Sequence, residues 1–202
     1  MNNEKLEGLA KSERTRQTKF DKRVFCCRST ACLSAGADVV HMTLQQSLAT
    51  QQEENQDCEI VSTGCMGLCS HGPLVRVESQ TADPLLYEDV SPDLAKQIID
   101  HHVSPHPGSK NQAAIKAHDY FHRKSGGAQN KGLERHILPL DSPFFTKQVR
   151  IVLKDTGRLD PESLDDYLAH GGYQALAKVL GGMTQQQVCE QIVTSGLRGR
   201  GG

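Results

Sequence analysis

A chain of 202 residues holds one medium domain or two small ones. With 37% hydrophobic residues, 4% aromatic and no tryptophan, its core rests on Leu, Ile, Val and Ala, which suits small α/β units. Lysine and arginine number 23 against 24 acidic residues, a net charge of −1, which excludes a whole-chain field for nucleic acid or an anionic membrane surface.

Residues 3–18 are polar and helix-permissive, with Leu6, Leu9 and Ala10 as a thin apolar stripe that needs something to pack on. Arg23–Cys27 reads as a short strand, followed by a loop over Arg28–Gly36. Val40, Leu44 and Leu48 recur every four residues, which predicts a helix over Ala37–Gln52. Cys58–Thr63, Pro73–Glu78 and Leu85–Glu88 read as three more strands, the last two joined through Ala82-Asp-Pro84. Ser91 and Pro92 supply a cap and a first-turn proline for a helix to about His102.

From Val103 to about Asp141 the pattern dissolves into Pro, Gly and polar residues and reads as a tether, with a helical turn or two at most over Ala113–Lys124. Gln148–Leu153 then reads as a strand. Helices are expected from Asp160-Pro161 to about His170, from Tyr173 to Leu180, and from Gln185 to Leu197 behind a Thr184 cap. One strand and a few helices make a poor domain alone, so the end at Gly202 reads as a truncation. The domain reading is 1–103, 104–142 as linker, and 143–202 as the start of a second domain.

No apolar run approaches the roughly 20 residues of a membrane span. Met1–Arg23 lacks the apolar stretch of a secretion signal, so the expected compartment is the cytoplasm. Seven cysteines there point to metal or redox chemistry before disulfides. Four of them form two pairs, Cys27-x4-Cys32 and Cys65-x3-Cys69, separated by 32 residues. Each pair lies on a loop directly after a predicted strand. If those strands are neighbours, both loops leave the same edge of the sheet and four thiolates converge.

Gly64, Gly67 and Gly72 flank the second pair and let backbone N–H groups approach the sulfurs of an anionic cluster. Structural zinc also takes four cysteines but favours tighter Cys-x2-Cys knuckles. Zinc, and buried thiols with no ligand, stand as the competing readings. Cys26 adjoins Cys27, but alternation along a strand lets only one face the site, and the x4 spacing selects Cys27. Cys58 and Cys189 read as small apolar residues.

Cys27-Arg-Ser-Thr-Ala-Cys32 together with Gly64-Cys-Met-Gly-Leu-Cys-Ser-His-Gly-Pro73 resembles the thioredoxin-like [2Fe–2S] ferredoxin family. That family includes the small flavoprotein-associated subunit of respiratory complex I, and the resemblance covers about residues 20–103. It implies an α/β thioredoxin-like fold with Cys27, Cys32, Cys65 and Cys69 as the ligands of a [2Fe–2S] cluster.

Gln148-Val-Arg-Ile-Val-Leu-Lys-Asp-Thr-Gly157, Asp165–Lys178 and Ser195-Gly-Leu-Arg-Gly-Arg-Gly-Gly202 resemble the start of the flavin- and NADH-binding subunit of complex I. This implies that Gly199, Arg200, Gly201 and Gly202 begin a loop around FMN and the nicotinamide nucleotide. Read without the family, a Gly-Arg-rich terminus is a solvated tail or a nonspecific nucleic-acid contact. The fusion is similar to the diaphorase subunit of bidirectional NAD(P)-linked [NiFe] hydrogenases. Comparable fusions occur in electron-bifurcating hydrogenases and NAD-dependent formate dehydrogenases.

The expected function is therefore electron transfer between NAD(P)H, FMN and iron–sulfur clusters, with other diaphorase and hydrogenase subunits as partners. A complex I-like NADH dehydrogenase is one alternative, and a non-catalytic thioredoxin-like docking module is another of a different class. The resemblance places the rest of the FMN and NAD(P) site and a [4Fe–4S] cluster after Gly202, so the chain alone is expected to be inactive. No catalytic acid or base is assigned. Asp165-Asp166 is expected on an exposed helix face, and His71 in a turn.

Overall fold

Strand alternation and four-residue helical periods build a sheet with helices on it, in a computed structural model that describes residues 3–51, 57–103 and 132–199. The chain divides into two compact units, Lys19–Asp160 and Met1–Thr18 with Pro161–Gly202.

In the larger unit, β1 (Lys22–Cys27), β2 (Cys58–Thr63), β3 (Val75–Ser79), β4 (Leu85–Tyr87) and β5 (Ile137–Leu138) form one mixed sheet in the order β2-β1-β3-β4-β5. β1 and β2 are parallel, with Cys27 opposite Thr63. The remaining pairs are antiparallel. β5 lies inside the segment expected to be a tether and is only two residues long, too short for an alternation signal.

One face of the sheet is covered by α3 (Ala37–Gln51) and α4 (Pro92–His102). Val40, Leu44 and Leu48 from α3 and Leu94, Ala95, Ile98 and Ile99 from α4 pack with Val24, Cys26, Val75, Val77 and Tyr87. α4 starts as the sequence predicts: Ser91 Oγ accepts the Leu94 N–H at 3.2 Å, and Pro92 occupies the first turn. The other face carries a smaller cluster of Phe25, Cys27, Cys32, Val61, Met66, Leu74 and Leu86, with Leu138, Leu140 and Phe145 packed at its margin. Cys26 and Cys27 thus lie on opposite faces, as the pleat requires. A one-residue slip of β1 would exchange them.

Two elements differ from expectation here. The loop Arg28–Gly36 contains a short helix, α2 (Thr30–Ser34), because the Leu33 N–H finds the Ser29 carbonyl at 2.9 Å and Cys32 is driven inward. Gln148–Leu153 forms no strand. Val149 and Val152 are 86% and 88% exposed, and among the described residues no strand pairs with this segment. β-propensity without a partner strand leaves the backbone unpaired. The segment follows α5 (Pro143–Thr146).

In the smaller unit, α1 (Asn3–Gln17) packs against α6 (Leu164–Ala169), burying Leu6, Ala10 and Leu168 together, with Ala177 of α7 (Gln174–Leu180) beside them. Leu6 and Ala10 of the apolar stripe read in α1 find their partner there, while Leu9 stays exposed. α6 starts three residues later than expected from Pro161, where Ser163 Oγ caps the Asp166 N–H at 3.2 Å. Asp166 is not on an exposed face. It is 4% exposed and accepts from Gln17 Nε2 at 2.7 Å, because α1 covers that side of the helix. Arg14 also reaches the Ala169 carbonyl at 3.0 Å. α8 (Gln185–Thr194) opens with a complete Thr184–Gln187 capping box.

No helix among the described residues is long and apolar enough to cross a membrane.

Candidate metal centre

The parallel pairing of β1 and β2 brings the two cysteine loops to one edge of the sheet. Cys27 ends β1, and Cys65 follows two residues after Thr63, which ends β2. Two backbone ties hold the loops together, Arg28 N–H to Thr63 O at 2.8 Å and Cys27 N–H to Leu74 O at 3.0 Å, while His71 N–H to Leu68 O at 3.3 Å closes a turn within the second loop. Cys32 lies in α2, and Cys69 opens a 3₁₀ turn over Cys69–His71.

The four thiols are arranged as two pairs. The sulfurs of Cys65 and Cys69 stand 3.7 Å apart, and Cys27 lies near enough to Cys32 to raise the pKa of its thiol. A tetrahedral metal with bonds of about 2.3 Å to sulfur spaces two of its thiolates about 3.8 Å apart. Yet no three of the four sulfurs lie within 4.8 Å of one another. Among the described residues the only group of three metal-capable side chains that close is His71, Glu88 and Asp89. Four thiolates on a single zinc would all stand at the shorter spacing. Four thiols gathered at one sheet edge without all meeting at one point are a donor set that fits a [2Fe–2S] group.

Burial differs between the pairs. Cys27 and Cys32 are each 1% exposed, whereas Cys65 is half-buried and Cys69 is exposed. Burial pushes the free Cys32 thiol up to about 12, helped by the neighbouring Cys27 thiol and by the charge of Cys69, and opposed by the Leu74 backbone. The free Cys69 thiol is also raised, first by its hydrogen bond to Cys65, then by the Cys65 charge. Metal binding must displace these protons. Cys26 is pushed up to about 12, chiefly by burial on the opposite face, and Cys58 likewise. Cys189 is exposed in α8.

Two glycines make the site compact. Gly67, at φ +93, occupies the left-handed region and donates its N–H to Cys65 Sγ at 3.3 Å. Gly72 lies against Cys32, where a larger residue does not fit. His71 sits in the expected turn with Nδ1 2.7 Å from Glu88 Oε2. The sequence gives no sign of the contact from Arg150, whose Nη2 donates to the Met66 carbonyl at 3.3 Å across 84 residues of chain.

Of the predicted flavin-loop residues, Gly199 is exposed and outside any helix or strand, and Arg200, Gly201 and Gly202 lie outside the described residues.

Residues 13–102 match the family described as thioredoxin-like [2Fe-2S] ferredoxin. The chain is 55% identical over 56 residues to the NADP-reducing hydrogenase subunit HndC of Solidesulfovibrio fructosivorans, covering 28% of this chain and 11% of that protein. It is 29% identical over 77 residues to an NADH-quinone oxidoreductase subunit of Rickettsia bellii (strain RML369-C), covering 37% of this chain and 43% of that one. The chain thus spans under half the length of either curated relative. The crystal structure of the wild-type thioredoxin-like [2Fe-2S] ferredoxin from Aquifex aeolicus aligns with a TM-score of 0.37 at 26% identity, over 41% of this chain and 85% of that one. Residues 13–102 are thus similar to thioredoxin-like [2Fe-2S] ferredoxins, and the curated relatives are named as subunits of an NADP-reducing hydrogenase and of an NADH-quinone oxidoreductase.

Proposed function

We propose that the chain is an electron-transfer component of an NAD(P)-linked hydrogenase, relaying single electrons through a [2Fe–2S] cluster held by Cys27, Cys32, Cys65 and Cys69. The observation that carries this reading is the gathering of the four cysteines at one sheet edge, with the sulfurs of Cys65 and Cys69 3.7 Å apart. The likeness to a hydrogenase subunit supports the hydrogenase assignment. The likeness to an NADH-quinone oxidoreductase subunit supports the same relay in a complex I-like enzyme as the second reading.

When bound, the cluster supplies a one-electron couple with no proton or atom transferred. The chain's own residues hold and shield it. Cys27 and Cys32 anchor the buried side, while Cys65 and Cys69 face the surface, where a partner comes within reach. The Gly67 N–H steadies the Cys65 thiolate. In this proposal residues 1–103 form the cluster domain, 104–142 connect it, and 143–202 begin a flavoprotein domain. There Gly199, Arg200, Gly201 and Gly202 start the FMN and NAD(P) loop. Other diaphorase and hydrogenase subunits are the partners, a [4Fe–4S] cluster belongs to the remainder of the assembly, and the compartment is the cytoplasm.

An anaerobic redox titration of the reconstituted chain tests the relay. Reversible uptake of one electron per chain, with a visible-absorption change that returns on reoxidation, is expected. A chain that takes up no electron, or loses its chromophore on one cycle, contradicts the reading.

A further inference from the structure

Arg150 reaches the loop between Cys65 and Cys69 from far along the sequence. Its Nη2 donates to Met66 O at 3.3 Å, and its guanidinium lies so close over Gly67 that a β-carbon there would collide with it. The Gly67 N–H in turn donates to Cys65 Sγ at 3.3 Å. Guanidinium and sulfur therefore meet the same three residues of backbone, Cys65 to Gly67.

The segment that carries Arg150 is pinned at its far end as well. A β-carbon on Gly157 would stand 3.1 Å from Met66 Cγ and 3.5 Å from Cys65 O. The buried Thr63 hydroxyl donates to Leu159 O at 2.7 Å. Residues 150–159 form a strap over the loop that begins the second cysteine pair.

Arg150 carries its charge uncompensated. Arg28, the other arginine next to these cysteines, is paired with Asp38 at 2.5 Å, whereas no carboxylate of the described residues pairs with Arg150. A partly buried cation beside an anionic centre stabilises whichever oxidation state is more negative.

We propose that Arg150, held over Gly67 by the strap, tunes the reduction potential of the cluster upward. This rests on the electron-transfer reading above. Reduction takes one electron from a flavin-type or chemical donor, moves no proton, and adds one negative charge to a centre that is already negative. The guanidinium offsets part of that added charge.

The test is a spectroelectrochemical titration of the reconstituted full chain and three variants. At fixed potential, Arg150→Gln is expected to lower the ratio of reduced to oxidised cluster about tenfold, equivalent to about 59 mV for one electron. Arg150→Lys keeps the charge and is expected to stay close to the wild type. Lys154→Gln, at an outward position whose side chain is 67% exposed, serves as the control and leaves the ratio unchanged.

Equal midpoints for Arg150→Gln and the wild type overturn the proposal. So does an equal fall in Arg150→Lys and Arg150→Gln, which marks hydrogen bonding rather than charge. Should Arg150→Gln assemble no cluster, Arg150→Met, which keeps the aliphatic stem, is read in the same way. Failure of both neutral variants to assemble also overturns it, since the residue then serves assembly. A wild-type chain that holds no cluster contradicts the proposed function instead, so the two failures are separable.

Discussion

Gly72 lies against Cys32 so closely that a β-carbon on it would stand 2.9 Å from the Cys32 sulfur and 3.4 Å from the Cys32 α-carbon. Nothing at that contact is the free end of a flexible side chain: Cys32 is buried in α2. Gly72→Ala is expected to destabilise the domain by roughly 1–3 kcal/mol through overpacking. It should also lower the iron retained per chain. Chemical denaturation and iron analysis of the same preparation check both.

Gly67 faces a different constraint. Its φ of +93 is a conformation that a β-carbon disfavours, and Arg150 occupies the space where that carbon would go. Gly67→Ala is expected to cost roughly 1–3 kcal/mol and to release the Arg150 contact. Denaturant midpoints of Gly67→Ala, Arg150→Gln and the double variant measure this. If the contact is broken in both single variants, the double variant falls short of their sum.

The helical face of the sheet separates stability from the cysteine site. Ile98 is fully buried in α4, against the face opposite Cys27 and Cys32. Ile98→Ala is expected to lose roughly 2–5 kcal/mol while the visible spectrum of the reconstituted protein stays unchanged at a temperature where it remains folded.

A half-buried histidine gives the fold an acid limit. His102 Nε2 lies 2.7 Å from the Tyr87 hydroxyl. Its pKa is lowered to about 4 by burial first, and then by the charges of His101 and Lys22. The folded value lies below the ordinary 6.5, so the unfolded chain binds a proton first as pH falls. The stability contribution is complete above about 6.5, declines as pH falls toward 4, and is flat below that. The loss is at most about 3 kcal/mol. His102→Gln is expected to flatten this slope in denaturation free energy measured from pH 7 to 4.

The meeting of the two cysteine loops at one sheet edge was legible because its signal is local. Spacing within each pair, the strand before each loop and the alternation that separates Cys26 from Cys27 all lie within a few residues. Helices α3 and α4 and the first four strands show their periods plainly for the same reason. What could not be read depends on partners distant in sequence. Gln148–Leu153 has strand composition but meets no strand, and β5 owes its existence to pairing with β4. Asp166 looks solvated in its own helix until α1 covers it. Arg150 touches Met66 only because the strap returns across the cysteine loop. The flavin-loop reading of Gly199 to Gly202 came from resemblance rather than from any local pattern.

The pairing of four sulfurs around two metals is tested most directly by metal and acid-labile sulfide analysis of the anaerobically reconstituted chain, alongside Cys27→Ser, Cys32→Ser, Cys65→Ser and Cys69→Ser. The account predicts two irons and two sulfides per wild-type chain, a reduced-state EPR signal, and loss or alteration of that signal in each variant. One tightly bound zinc with no labile sulfide, or a full iron complement that survives all four substitutions with an unchanged signal, would contradict it.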